Sequence, residues 1–293
     1  MQSTIATYLS IRGLIAVVLM AVWCLPLMAG QGLVYSVQRD GGPPSYLIGT
    51  MHSEDKRVTA LLEQFSPLIE EVELVAVEMV PDAVTLLAVG AATLLPADQS
   101  LRGLVGSERF DALSEAASQL GLSPEILNRL KPWAAAVTLG MPASRTGRFL
   151  DMEIYLRALE LQRRVVGLET PAEQLAVFDS MAPEMQVVLL TEMIKSAPQM
   201  PKQLEELTAV YLSGDLDQID RFARGQYSGM PDSITRWFDE QLLDRRNARM
   251  LQRLPELLDE TKVLVAVGAM HLAGDTGLVA GLRRLGYRVE RRH

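Results

Sequence analysis

Val263-Leu264-Val265-Ala266-Val267-Gly268-Ala269-Met270-His271 is a short apolar run closed by a glycine and, three residues later, a histidine. A run of this length and β-branched content, bounded by Gly, reads as a buried strand. The same phrase occurs far upstream, where Tyr46-Leu47-Ile48 leads into Gly49-Thr50-Met51-His52. The chain has only three histidines, so two of them close matching Gly-x-x-His phrases beyond two expected strands. In an open α/β sheet, the ends of the strands are where sites are built.

Working outward, two further apolar stretches carry an acidic group. Leu74-Val75-Ala76-Val77-Glu78-Met79-Val80 reads as a buried strand with Glu78 inside it, and Arg164-Val165-Val166-Gly167-Leu168 as a short strand followed directly by Glu169. A carboxylate in a buried strand is costly unless it is paired or bound to a metal. Two His and two Glu brought together would make a metal site or an acid/base site. The plain alternatives are an edge-strand Glu78 in water, a Glu169 that favours the next helix's N-terminus, and histidines that only hydrogen-bond. Glu54, in a charged stretch, reads as solvated; His293 is terminal and expected to fray.

The segment from Ile234 to Leu254 has helical spacing, with Leu242, Leu243, Met250, Leu251 and Leu254 among its apolar positions. Arg246 is four residues from both Leu242 and Met250, and Asn247 is four from both Leu243 and Leu251. Both polar residues therefore fall on the face that should be buried. A buried guanidinium needs a carboxylate, for which Glu78, Glu169 and Asp151 are candidates.

Strands are expected near both ends of the chain, with long helical stretches between them. That pattern predicts an α/β fold with α+β character: a central mixed β-sheet assembled from N- and C-terminal segments, with a large helical region over about 82–254. Residues 1–29 carry one charge, Arg12, ahead of the apolar stretch Leu14 to Met28, and read as a signal peptide, with retention as an uncleaved anchor the alternative. Either way the protein is expected to be exported, periplasmic or secreted, or held at the inner membrane. Cleavage would remove Cys24, the only cysteine, and with it any disulfide or thiol nucleophile. The net charge of −8 argues against a nucleic-acid or anionic-membrane partner, and a membrane contact is expected only through the N-terminal segment if it stays. There is no His-Glu-x-x-His, P-loop, Gly-x-Ser-x-Gly elbow or dinucleotide fingerprint.

The chain resembles the TraB/PrgY/GumN family, related to the Tiki proteases. The resemblance is carried by Tyr46-Leu47-Ile48-Gly49-Thr50-Met51-His52, Val77-Glu78, Leu130-Lys131-Pro132-Trp133, Asp151, Gly167-Leu168-Glu169-Thr170 with Glu173-Gln174, Arg246-Asn247-Ala248-Arg249-Met250, and Val267 to Gly274. Each piece is short; their order and spacing make the match specific, over roughly Val34 to Tyr287. The resemblance implies a single domain over 30–293 with a hydrolase-like site. In the Tiki branch these features belong to a metal-dependent protease that uses manganese or cobalt. Carried over, His52, His271 and Glu78 would be metal or catalytic residues, with Arg246 and Asn247 as their supporting pair. Of Glu78 and Glu169, one would ligate and the other act as general base.

The expectation is thus a metal-dependent peptidase or related hydrolase acting on a peptide or protein outside the cytoplasm, with a divalent ion (Mn, Co or Zn) as cofactor. Two alternatives remain: a metal-free His/Glu hydrolase of esterase type, and a non-enzymatic protein that captures a peptide signal or haem.

Overall fold

The computed structural model describes residues 31–39, 42, 44–141 and 146–292. The readings of residues 1–29 as a signal peptide and of His293 as frayed lie outside them.

Six strands form one sheet: β1 (Val34–Gln38), β2 (Ser45–Thr50), β3 (Leu74–Val77), β4 (Arg164–Gly167), β5 (Val263–Gly268) and β6 (Arg288–Arg291). Their order is β4-β3-β5-β2-β1-β6. β4, β3, β5 and β2 run parallel, whereas β1 is antiparallel to both β2 and β6. The sheet is mixed, as the sequence predicts, and the C-terminal β5 is inserted between two N-terminal strands. β1 was not anticipated, because Val34-Tyr35-Ser36-Val37-Gln38 is short and carries two polar residues. Its pairing with β2 and β6 supplies the stability that its own composition does not.

Side-chain alternation assigns the two faces of the sheet. Tyr46, Ile48, Val75, Val77, Leu264 and Ala266 enter one core, covered by Phe65 and Ile69 of the Leu62–Glu70 helix and by Leu150, Ile154 and Ala158 of the Leu150–Glu160 helix. Leu47, Leu74, Ala76, Val263, Val265 and Val267 enter the other, covered by Met250 and Leu254 of the Arg245–Glu260 helix and by Leu278 and Leu282 of the Leu278–Arg284 helix. Burial on both faces explains why the parallel strands read as unbroken apolar runs rather than alternating ones. A third core is purely helical, gathering Phe110, Leu113, Leu139, Leu190, Ile234 and Trp237.

Four parallel strands put their C-terminal ends on one edge. Thr50 is opposite Gly268, and Val77 is opposite both Ala266 and Gly167, so the four exits are nearly level. His52, Glu78, Glu169 and His271 all leave the sheet here. Glu78 is the first residue beyond β3 rather than a residue within it. The strand ends at Val77 and the chain bends away, which lets its side chain face the edge.

The end of β2 is fixed from the helical side. Tyr211, buried in the Met200–Leu212 helix, donates its hydroxyl to the Gly49 carbonyl at 2.9 Å. Tyr211→Phe is expected to lower stability by about 1 kcal/mol, as for loss of one buried hydrogen bond; urea unfolding at constant m-value checks this.

Candidate functional site

The matching Gly-x-x-His phrases lie on adjacent strands but place their imidazoles differently. Past Gly268 the chain winds into a 3-10 turn, Ala269–His271, and folds His271 back beneath the strand ends, where its side chain is 5% exposed. Past Thr50 it turns at His52, with the Ser53 N–H donating to the Met51 carbonyl at 2.8 Å, and the His52 side chain is 51% exposed. Both glycines are set by close approach. A Cβ on Gly49 would come within 3.2 Å of Ala269, and one on Gly268 within 3.2 Å of a Glu78 oxygen.

Glu78 sits on the face of the sheet that carries Leu74 and Ala76, and meets the Arg245–Glu260 helix. Its Oε2 accepts from Arg246 Nη2 at 2.6 Å, and its Oε1 accepts from the Gly268 N–H at 2.7 Å. Two backbone hydrogen bonds continue the β3–β4 pairing past the strand ends, from the Leu168 N–H to Val77 and from the Glu169 N–H to Glu78, both 2.8 Å. That continuation brings Glu169 beside Glu78. The Glu169 side chain is fully buried; its Oε2 accepts from Arg246 Nε at 2.8 Å and Nη2 at 2.6 Å, and its Oε1 from Arg249 Nη2 at 2.8 Å. Arg246 thus joins both carboxylates, while Asp151, the third candidate partner, lies elsewhere.

Asn247 fixes His271. Asn247 Nδ2 donates to the Thr276 carbonyl at 3.1 Å, which leaves its Oδ1 to accept from His271 Nδ1 at 2.7 Å. The proton is thereby assigned to Nδ1, and the Nε2 lone pair stands 3.7 Å from Glu78 Oε1. Burial alone would raise the Glu78 carboxyl, but the charges of His271 and Arg246 and the Gly268 N–H outweigh it and bring it down to about 2. Burial pushes the His271 imidazole below its ordinary 6.5, against the attraction of Glu78. With His271 neutral near pH 7, Arg246 is the charge that keeps Glu78 ionised there.

His52 belongs to a second group, on the other face. The Thr50 hydroxyl donates to Asp151 Oδ1, in the first turn of the Leu150–Glu160 helix, and Asp151 Oδ2 lies 3.5 Å from His52 Nδ1. The His52 ring stacks on Phe149 with centroids 3.7 Å apart. Glu54, read from sequence as solvated, instead accepts the backbone N–H groups of Thr146 at 3.1 Å and Gly147 at 2.7 Å. Its carboxylate satisfies amides of the loop that carries Phe149, which the linear sequence does not place nearby. The two groups face each other across a cleft of about 690 Å³, lined by Thr50, His52, Glu78, Asp151, Gln174 and Gly268.

Among the described residues, no three His, Cys, Asp or Glu side chains converge as a group that could hold a metal ion. The donors stand as two pairs, Glu78 with His271 and His52 with Asp151, because they reach the edge from opposite faces of the sheet. Their chemistry nonetheless suits a divalent cation. A neutral imidazole offers a free Nε2 next to an ionised carboxylate, and Asp151 Oδ2 is a buried oxygen without a hydrogen-bond partner.

Residues 33–291 match the TraB/PrgY/gumN family. The chain belongs to that family. Metalloprotease TIKI1 of Danio rerio is 26% identical over 89% of this chain and 63% of its own length. Metalloprotease TIKI1 of Xenopus tropicalis is 23% identical over 88% of this chain and 61% of its own length. The chain therefore spans a little over three-fifths of these relatives. No solved structure gives a significant match.

Within the family member described here, sequence reasoning did not assign roles to Arg249 or Gln174. Arg249 is three residues beyond Arg246 and shares its helix face, a spacing that was legible. Gln174, in the first turn of the Pro171–Asp179 helix, places its amide nitrogen 3.4 Å from Glu78 and 3.3 Å from Glu169. No local pattern marks it.

Two outcomes are expected. Arg246→Met leaves the buried Glu169 charge with Arg249 as its one cationic partner beside the Gln174 amide, and should cost about 3–5 kcal/mol in urea unfolding. In chelator-treated protein, stability should fall on acidification in two stages. His271 and Glu78 both have lowered values in the fold, so the unfolded chain binds their protons first. Stability should decline below about 6.5 as the unfolded imidazole charges, then more steeply between the ordinary carboxylate value of 4.5 and about 2. Thermal melts across this range check the sign, and Glu78→Gln should flatten the second stage.

Proposed function

We propose that this protein is a metal-dependent peptidase acting outside the cytoplasm, with the cleft at the sheet edge as its active site. The observation that carries the reading is the Glu78–His271 pair: an ionised carboxylate and a neutral imidazole with a free Nε2, both held in place by Arg246 and Asn247. Membership of the family and the names of its TIKI1 relatives support it. The apolar stretch before the described residues supports export.

His52, His271 and Glu78 would hold the ion, with manganese, cobalt and zinc all compatible with this donor set. When bound, such an ion acidifies a water and polarises a peptide carbonyl. The chain's own residues supply the rest. Arg246 keeps Glu78 ionised and in place. Asn247 keeps the His271 proton on Nδ1, so that Nε2 is left free beside Glu78 Oε1. Phe149 and Asp151 position the His52 ring. Glu169, with both oxygens taken by guanidinium groups, positions Arg246 and Arg249 rather than meeting substrate. Of the carboxylates, Glu78 and Asp151 line the cleft, and Asp151, with Oδ1 taken by Thr50 and Oδ2 buried beside His52, would act through that half-exposed imidazole. Met79, Pro81 and Phe149 give the cleft apolar walls for substrate side chains.

A second reading rests on the His52–Asp151 pair, which is an acid/base couple in its own right and would serve a metal-free hydrolase. Loading the protein with manganese, cobalt or zinc separates the two. About one ion per chain in the wild type, none in the His52→Ala/His271→Ala variant, and chelator-sensitive cleavage of a peptide library are expected. Each single His→Ala change should lower turnover by roughly 10²-fold or more with the circular-dichroism spectrum unchanged. Equal metal in both proteins with chelator-resistant cleavage would replace the first reading by the second.

A further inference from the structure

The helix Ala83–Ala92 is apolar on every side, with Thr85 its one polar side chain. Amphipathic surface helices bury their apolar face and show water their polar one. Here the buried residue is Thr85, while Val84 is 77% exposed and Leu87 75%. Val84, Leu87, Ala88 and Ala91 follow the i, i+3, i+4, i+7 spacing of one outward stripe. From Ala83 to Ala97 there is no charged side chain, and Leu94, two residues past the helix end, is also exposed. Single exposed leucines are ordinary, but a contiguous uncharged stripe on a soluble face marks a contact surface.

The position of this stripe says what it touches. The helix begins five residues beyond Glu78, and its Leu86 lines the same cleft as His52 and Glu78. It therefore sits on the site edge of the sheet. The chain also comes into the fold at that edge: β1 is antiparallel to β2, with Val34 opposite Ile48, so Gln31–Leu33 lies level with the end of β2. β1 is three strands from β3 in the sheet, on the order of 14 Å. Immediately upstream in sequence is the apolar stretch Leu14 to Met28. The two most apolar features of the chain, one preceding β1 and one following β3, thus lead to the same edge. No described helix is long and apolar enough to cross a membrane.

We propose that the Ala83–Ala92 helix docks on a lipid bilayer through Val84, Leu87, Ala88 and Ala91, so that the cleft opens towards the membrane surface. This contact is additional to any made by the N-terminal segment, and it does not depend on the catalytic reading. Its consequence for the site is that the cleft would be presented to peptide segments at or near the bilayer rather than to those free in bulk water.

The test uses the full chain and its single cysteine. Cys24→Ser removes the native thiol, and Leu87→Cys, or Glu260→Cys at the opposite edge of the sheet, then accepts an environment-sensitive NBD dye. Vesicles of phosphatidylethanolamine and phosphatidylcholine, with and without brominated acyl chains, are added. The dye at 87 should shift to the blue and lose intensity roughly two-fold to brominated lipid, as for a helix seated in the headgroup and acyl boundary. The dye at 260 should do neither. A dye at 87 that stays in water while the chain co-floats with the vesicles would overturn the proposal. So would a blue shift that grows with protein concentration without lipid, which would make the stripe a contact between copies of the chain.

Discussion

The guanidinium of Arg246 is the interaction on which the site depends. It lies in the layer between sheet and helix, joined to Glu78 on one side and to a fully buried Glu169 on the other. Two carboxylates that close, leaving adjacent parallel strands, would repel each other without it. With it, β3, β4 and the Arg245–Glu260 helix are locked in one relative position, and Glu78 keeps an oxygen for the Gly268 N–H at the end of β5. The neighbouring residue, Asn247, extends the same control to His271. One turn of helix thereby organises the ends of three strands.

The second constraint is the sheet itself. Parallel strands deliver their exits to one edge, but each side chain still obeys the two-residue alternation of its strand. Thr50 follows Tyr46 and Ile48 onto the face covered by the Leu150–Glu160 helix and meets Asp151. Glu78 follows Leu74 and Ala76 onto the opposite face and meets Arg246. The cleft is where the two groups look at each other across the edge, and its chemistry is divided between a rigid, buried half and a more open half around His52. The apolar Ala83–Ala92 helix beside it, through Leu86, gives that cleft an apolar margin.

Much of this could be read from the linear chain. The four apolar runs marked β2, β3, β4 and β5, and the residue closing each named a site candidate. The spacing of Arg246 and Asn247 put them on a buried face, where they are 8% and 1% exposed. The continuous helix expected from Ile234 to Leu254 is instead α-helical over Asp232–Trp237, π-helical over Phe238–Asp244, and α-helical again from Arg245. The wider turn accommodates Trp237 and Phe238, which contact each other edge-on. Arg246 and Asn247 keep their orientation because the spacing from Arg245 onward, to Met250 and Leu254, remains α-helical.

What the sequence by itself determined is the kind of element each segment forms and which polar residues must find partners, because periodicity and the cost of burying charge are local properties. Which carboxylate Arg246 takes, which nitrogen of His271 carries the proton, and that two identical phrases yield one buried and one open imidazole were decided only by the tertiary structure. Those outcomes depend on strand order and on which helix covers which face. They are set by contacts between segments far apart in the chain, about which no local pattern carries information.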